Sequence, residues 1–160
     1  MIAKLWYWLN LVVNTVASYL ADVVLLVIRL YWGYQFFLTG KGKLANLDQV
    51  AEYFASLQLP APKFQAALAG TTECVGGLFL LVGLLSRLTT IPLMVTMVVA
   101  YLAADKEAFF GLFGDADSFF KAAPFLFLYA SVIVFCFGPG RLSADQALKY
   151  AFRGRNDQKL

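Results

Sequence analysis

The chain has 160 residues, of which 61% are hydrophobic and only 14% charged, whereas soluble domains run about 45–50% apolar and about 25% charged. That composition excludes an ordinary soluble domain and describes a membrane protein. The net charge of +3 does not suggest a nucleic-acid partner, and the absence of histidine removes the commonest haem, copper and zinc ligand, so no metal site is expected.

Residues 5–38 carry only two charges, Asp22 and Arg29. One straight helix of that length would reach about 50 Å, against a hydrocarbon core of about 30 Å, and the stretch is too short for two spans and a turn. The predicted arrangement is an interfacial helix over residues 5–19, followed by a first span over about 22–38. Trp6, Tyr7, Trp8, Asn10 and Asn14 suit the headgroup level. A cleaved signal peptide is the weaker reading, because the n-region is poorly charged and no AxA-type site follows. In the first span Arg29, Gly33, Phe36 or Phe37, and Gly40 fall on one helical face. TGKGK, Thr39 to Lys43, then ends it.

NLDQVAEYFASL is amphipathic and too short to span. Asn46 is placed to cap it, with Gln49 three residues on, and Val50, Phe54 and Leu57 form its apolar stripe, so it is expected on the membrane surface. QLPAPK breaks the chain before a second span over 64–85. That span has one acid at its centre, Glu73, among Gly70, Gly76 and Gly77, which permit close helix approach. A carboxylate at mid-span costs roughly 2.5–3.5 kcal/mol on insertion scales, so it should face the bundle interior and be paired. Arg29, the base inside the earlier apolar run, is the expected partner. A third span over 88–104 follows almost directly, as an antiparallel hairpin with Pro92 near its start. DKEAFFGLFGDADSFF reads as a loop folded on the bilayer surface, with Asp117 or Ser118 capping a fourth span over 119–137. FGPGRLS stops that span and a basic tail over 141–160 closes the chain. Cys74 and Cys136 each lie in an apolar run without CxxC spacing, as packed reduced thiols rather than a redox pair or metal site.

The bases divide seven to five between the two sides: Lys4, Arg87, Arg141 and four in the tail against Lys41, Lys43, Lys63, Lys106 and Lys121. The positive-inside rule therefore places both termini in the cytoplasm. The expected fold is all-α: an integral membrane four-helix bundle in up-down order, with an N-terminal interfacial helix and one domain over 1–160.

RLYWGYQFFLTGKGKL, then AEYFASLQLPAP, then ECVGGLFLLVGLLSR, then FGPGRLSAD, in this order and spacing, resembles the DoxX family of small four-helix membrane proteins. Arg29, Gly33, Gly40, Lys43, Glu73, Gly76, Gly77, Gly83 and Arg87 stand at positions matching the family pattern, as do Gly138, Gly140, Ser143 and Asp145. Some members look like the membrane subunit of a thiosulfate:quinone oxidoreductase, so the resemblance implies a quinone or similar small molecule as ligand and a soluble or membrane redox partner. It implies a bacterial cytoplasmic (inner) membrane as the location. No covalently bound cofactor is expected. The lipid bilayer is the certain contact, and a homo-oligomer is a further option.

Two readings of the acid and base stay open. Arg29 and Glu73 either form a structural ion pair that fixes packing, or line a mid-depth pocket where Arg29 holds an anion or quinone carbonyl and Glu73 moves a proton. Tyr34, Gln35 and Tyr31 are near enough in sequence to add hydrogen bonds to such a pocket, or to serve as packing. Lys41 and Lys43 act as snorkelling anchors or as an electrostatic landing point for an anion such as thiosulfate. Ser143 or Asp145 caps the tail helix, Arg141 being an alternative lipid-phosphate ligand. The function read from these features is a quinone- or small-molecule-binding subunit of a membrane redox system. The alternative is a non-enzymatic scaffold or carrier.

Overall fold

A computed structural model describes residues 2–156; the last four residues of the expected tail, Lys159 among them, and the side chains of Ile2, Ala3 and those from Arg153 onward lie outside the described residues. The described residues are helical, without strands. Helix α1 runs unbroken from Ile2 to Ala45, about 66 Å at 1.5 Å per residue. The break expected between an interfacial helix over 5–19 and a span from 22 is therefore not there. From Ile2 to Trp32 no glycine or proline interrupts the i to i−4 hydrogen-bond ladder. The expectation rested on bilayer thickness, which does not constrain the backbone. Residues 4–21 are exposed, and packing begins at Asp22.

Helix α2 (Leu47–Ser56) turns back across α3 (Pro62–Val82). Asn46 stands at its N-terminus without capping it, its amide donating instead to the Gly42 carbonyl at 3.0 Å. Gln58 and Ala61, both in the left-handed region, bracket the LPAP corner. An exposed Lys63–Asp48 ion pair at 2.7 Å ties the first turns of α3 and α2 together, and this hydrogen bond holds the Asp48 carboxyl below the usual carboxylate range. Gly83, at φ +77°, closes α3 in a left-handed turn in which the Leu84 N–H bonds the Phe79 carbonyl at 2.9 Å. Helix α4 (Ser86–Ala104) starts three residues later and returns antiparallel, running through Pro92.

The expected surface loop is three short turns: α5 (Lys106–Phe110), a 3-10 turn over Gly111–Phe113, and α6 (Ala116–Lys121). They are pinned by Tyr101, whose hydroxyl donates to the Phe119 carbonyl and whose ring stacks on Phe119 at 4.9 Å. The span expected over 119–137 is divided. Ala122 is extended and Pro124, lacking an N–H to join α6, opens a new helix, α7 (Pro124–Phe137). Neither Asp117 nor Ser118 caps it; the Ser118 hydroxyl instead donates to the Asp115 carboxylate. At 14 residues α7 is about 21 Å long, shorter than a full bilayer crossing.

The bundle is built on the α1–α3 pair, with α4 against α3 and α7 against α4 and α1. Its core is Phe36, Leu80, Leu93, Met97 and Val134, extended by Phe127, whose ring meets Phe36 and Trp32 edge-on. Along α1 the residues at 25, 29, 33, 36 and 40 are buried, the face that the spacing predicts. Along the seam the two backbones touch. A Cβ on Gly33 would meet the Leu81 nitrogen at 2.7 Å, one on Gly40 the Cys74 nitrogen at 2.3 Å, and one on Gly77 the Phe37 nitrogen at 2.5 Å.

Candidate functional site

The glycine seam sets the register of the antiparallel pair. Gly33 lies beside Gly77 and Leu81, and Gly40 beside Gly70 and Cys74. It follows that Lys43, one turn beyond Gly40, lies beside the middle of α3. Its ammonium donates to Glu73 Oε1. Glu73 is fully buried, while the lysine side chain is 30% exposed. Glu73 Oε2 has no hydrogen-bond partner in the protein. The partner of Glu73 is thus Lys43, and not the expected Arg29. Arg29 lies ten residues of α3 away, about 15 Å along the axis, beside Gly83.

At that opposite end Arg29 is 1% exposed and fills the notch left by the missing Cβ of Gly83. Its Nη2 donates to the Leu142 carbonyl at 2.5 Å; Nε and Nη1 have no protein acceptor. Asp145 supplies a counter-charge without touching it. The same carboxylate accepts the N–H groups of Leu85 at 2.6 Å and Ser86 at 2.9 Å, so it caps α4. Ser143 caps the tail helix α8 (Ala144–Asn156), accepting the Gln146 N–H at 3.3 Å. Asp22 accepts the backbone N–H of Arg141 at 2.9 Å and pairs with its side chain. The FGPGRLSAD segment therefore closes one end of the bundle across α1, α3 and α4. Arg29 is part of that closure.

Lys43 and Glu73 border a cavity of about 900 Å³ between α2, α3 and α4. Its walls are apolar: Phe64, Leu68 and Ala69 from α3, Ile91, Pro92, Val95 and Val99 from α4, with Tyr53 and Phe54 of α2 and Leu57 just beyond it at the α2 end. Uncharged polar groups are few: Gln65, held by the Pro60 carbonyl, Thr96, bonded to the Pro92 carbonyl, Thr72, and the hydroxyl of Tyr53. Volume and lining are those of a small-molecule site, a mostly apolar concavity with a few convergent polar groups. Of the residues expected at the site, Lys43 and Glu73 are brought together at this cavity. Arg29, Tyr34 and Gln35 are not among its lining. Tyr34 is half exposed on the outer face of α1, and Gln35 is partly buried beside it. Sequence reasoning missed the α3–α4 wall and paired the wrong base. The available signal was the equal seven-residue spacing of Gly33/Gly40 and Gly70/Gly77, which aligns the helices and excludes Arg29.

Comparison with known proteins agrees with this architecture. The DoxX family model matches residues 24–106, from the start of the packed part of α1 to the end of α4. A Mycobacterium tuberculosis protein named "Uncharacterized membrane protein Rv3486" is 34% identical across 76% of this chain and 78% of its own length. A Bacillus subtilis protein named "Putative oxidoreductase CatD" is 24% identical across 85% of this chain and 92% of its own. No solved structure gives a significant match. Helices α1, α3 and α4 are each long and apolar enough to cross a bilayer. With the family match over those same helices, the chain belongs to the DoxX family of multi-pass membrane proteins.

Proposed function

We propose that this chain is a membrane subunit of a redox system that binds a quinone, or a similar lipid-soluble small molecule, in the cavity between α2, α3 and α4. The observation that carries the reading is the cavity itself: about 900 Å³ of mostly apolar space bordered by an ion pair whose acid is buried. One of the relatives bears an oxidoreductase name, which adds support. Lys43 offers N–H groups beyond the one given to Glu73, since an ammonium has three donors, and a ligand carbonyl can accept one. Glu73 is the group at the cavity able to take or give a proton. A soluble or membrane partner would supply electrons. The excess of bases on the side of Arg87, Arg141 and the tail favours both termini on the cytoplasmic side.

A second reading, a non-enzymatic scaffold or carrier, is favoured by one observation. Lys43 and Glu73 are already paired with one another, as a purely structural pair would be. The two readings separate by solvent extraction and mass spectrometry of the native protein beside a Leu68→Trp form, which narrows the cavity from its α3 wall. A quinone that co-purifies with the native protein and is lost from the folded variant supports the redox reading. A native protein that carries no lipid-soluble small molecule leaves the scaffold.

A further inference from the structure

An ammonium at the end of an apolar cavity is ordinarily a receptor for an anion, such as a fatty-acid carboxylate. Here it is not free to act as one. Lys43 contacts Glu73 Oε1, so the polar end of the cavity carries one positive and one negative charge and no net charge. Glu73 is buried and its Oε2 is unpartnered. Any anion that reached Lys43 would sit within a few ångströms of that carboxylate, where low dielectric leaves like-charge repulsion poorly screened. The remaining polar lining groups, Tyr53, Gln65, Thr72 and Thr96, bear no positive charge that would offset it. A neutral carbonyl or ether oxygen meets no such barrier. It accepts a spare N–H of Lys43 while the ion pair stays intact.

We infer that Glu73 sets the specificity of the cavity, admitting uncharged apolar molecules with a hydrogen-bond acceptor and rejecting anionic amphiphiles of the same size, through the carboxylate it holds against Lys43. This inference rests on the cavity being a ligand site. It goes further by assigning the exclusion to one residue. Specificity of this kind comes from a built-in repulsive element as much as from the attractive contact. It also makes Lys43 a poor receptor for an inorganic oxyanion.

The test uses the purified full chain in nanodiscs of zwitterionic lipid and three probes: a decyl-substituted benzoquinone, methyl dodecanoate, and dodecanoate at neutral pH. The wild type should bind the quinone and the methyl ester at least tenfold more tightly than dodecanoate, although ester and acid share one tail. Glu73→Gln keeps the volume and a hydrogen bond to Lys43 while removing the negative charge. It should bind dodecanoate at least tenfold more tightly than the wild type does, with the quinone affinity changing less. Equal binding of ester and acid by the wild type overturns the inference and leaves the pocket standing, and this comparison needs no variant to fold. A folded Glu73→Gln protein that gains no affinity for dodecanoate overturns it as well. A wild type that binds none of the three removes the ligand site itself, and the inference with it.

Discussion

Two glycines, two residues apart on α1, should respond to the same substitution with opposite signs. At Gly40 a Cβ would lie 2.3 Å from the Cys74 nitrogen and 2.7 Å from the Gly70 carbonyl oxygen, both of them backbone atoms of α3. Ordinary contact begins near 3.4 Å, so α1 and α3 must separate by about 1 Å for Gly40→Ala to be accommodated. Overpacking of this kind costs about 1–3 kcal/mol, and the upper end applies because no flexible side chain can yield. At Gly42 a Cβ meets nothing within 4 Å. Gly42→Ala therefore removes the helix-interior cost of glycine, about 0.5–1 kcal/mol, with no packing penalty. Reversible unfolding in mixed micelles, with both variants measured in one series, should give a difference between them of about 2–4 kcal/mol, Gly40→Ala being destabilised. Similar stabilities for the two variants would refute the backbone contact at Gly40, and with it the register that brings Lys43 to Glu73.

Three further outcomes follow from the same geometry. Lys43→Met should destabilise the protein by a few kcal/mol by leaving the Glu73 carboxylate buried and unpaired, discounted because the lysine is 30% exposed. The double variant Lys43→Met/Glu73→Leu should recover most of that loss in the same unfolding assay, which an additive result would contradict. Arg29→Met should loosen the segment around Leu142, detected as faster hydrogen exchange there, while leaving ligand affinity in the cavity unchanged; a large affinity loss would return Arg29 to the site. Asp145→Ala should cost about 0.5–2 kcal/mol through the lost α4 cap, and limited proteolysis should cut α8 sooner, whereas Asp145→Asn keeps part of the effect.

The helices were legible where composition alone decides them. The apolar run beginning near Lys63 is bounded by Pro62 and Gly83, the one beginning near Leu88 ends at the charges from Asp105, and both are single helices within a few residues of expectation. Bilayer thickness misled the reading of α1, because a sequence without helix breakers continues as helix whatever surrounds it. Pro124 carried the opposite signal, a missing N–H in the middle of an apolar run, and it divides the fourth element. At the site, Glu73 was recognisable from the cost of burying it, but its partner was not. Arg29 was preferred because it is the more apolar-flanked base, whereas pairing is decided by helix register and by the reach of a lysine from nearer the interface. The cavity was beyond sequence reasoning, since it depends on how far α2 and α4 stand from α3.

The closure made by FGPGRLSAD bears on how the protein is born. The residues that engage Arg29, Asp22, Leu85 and Ser86 are Leu142, Arg141 and Asp145, the first two standing 113 and 119 positions after their partners on α1. During synthesis Arg29 lacks this acceptor until the segment after α7 has been made. Closure of the bundle thereby depends on the segment that follows α7, and a chain cut after Phe137 should be degraded faster in vivo than one that carries this segment, even though every apolar helix is present.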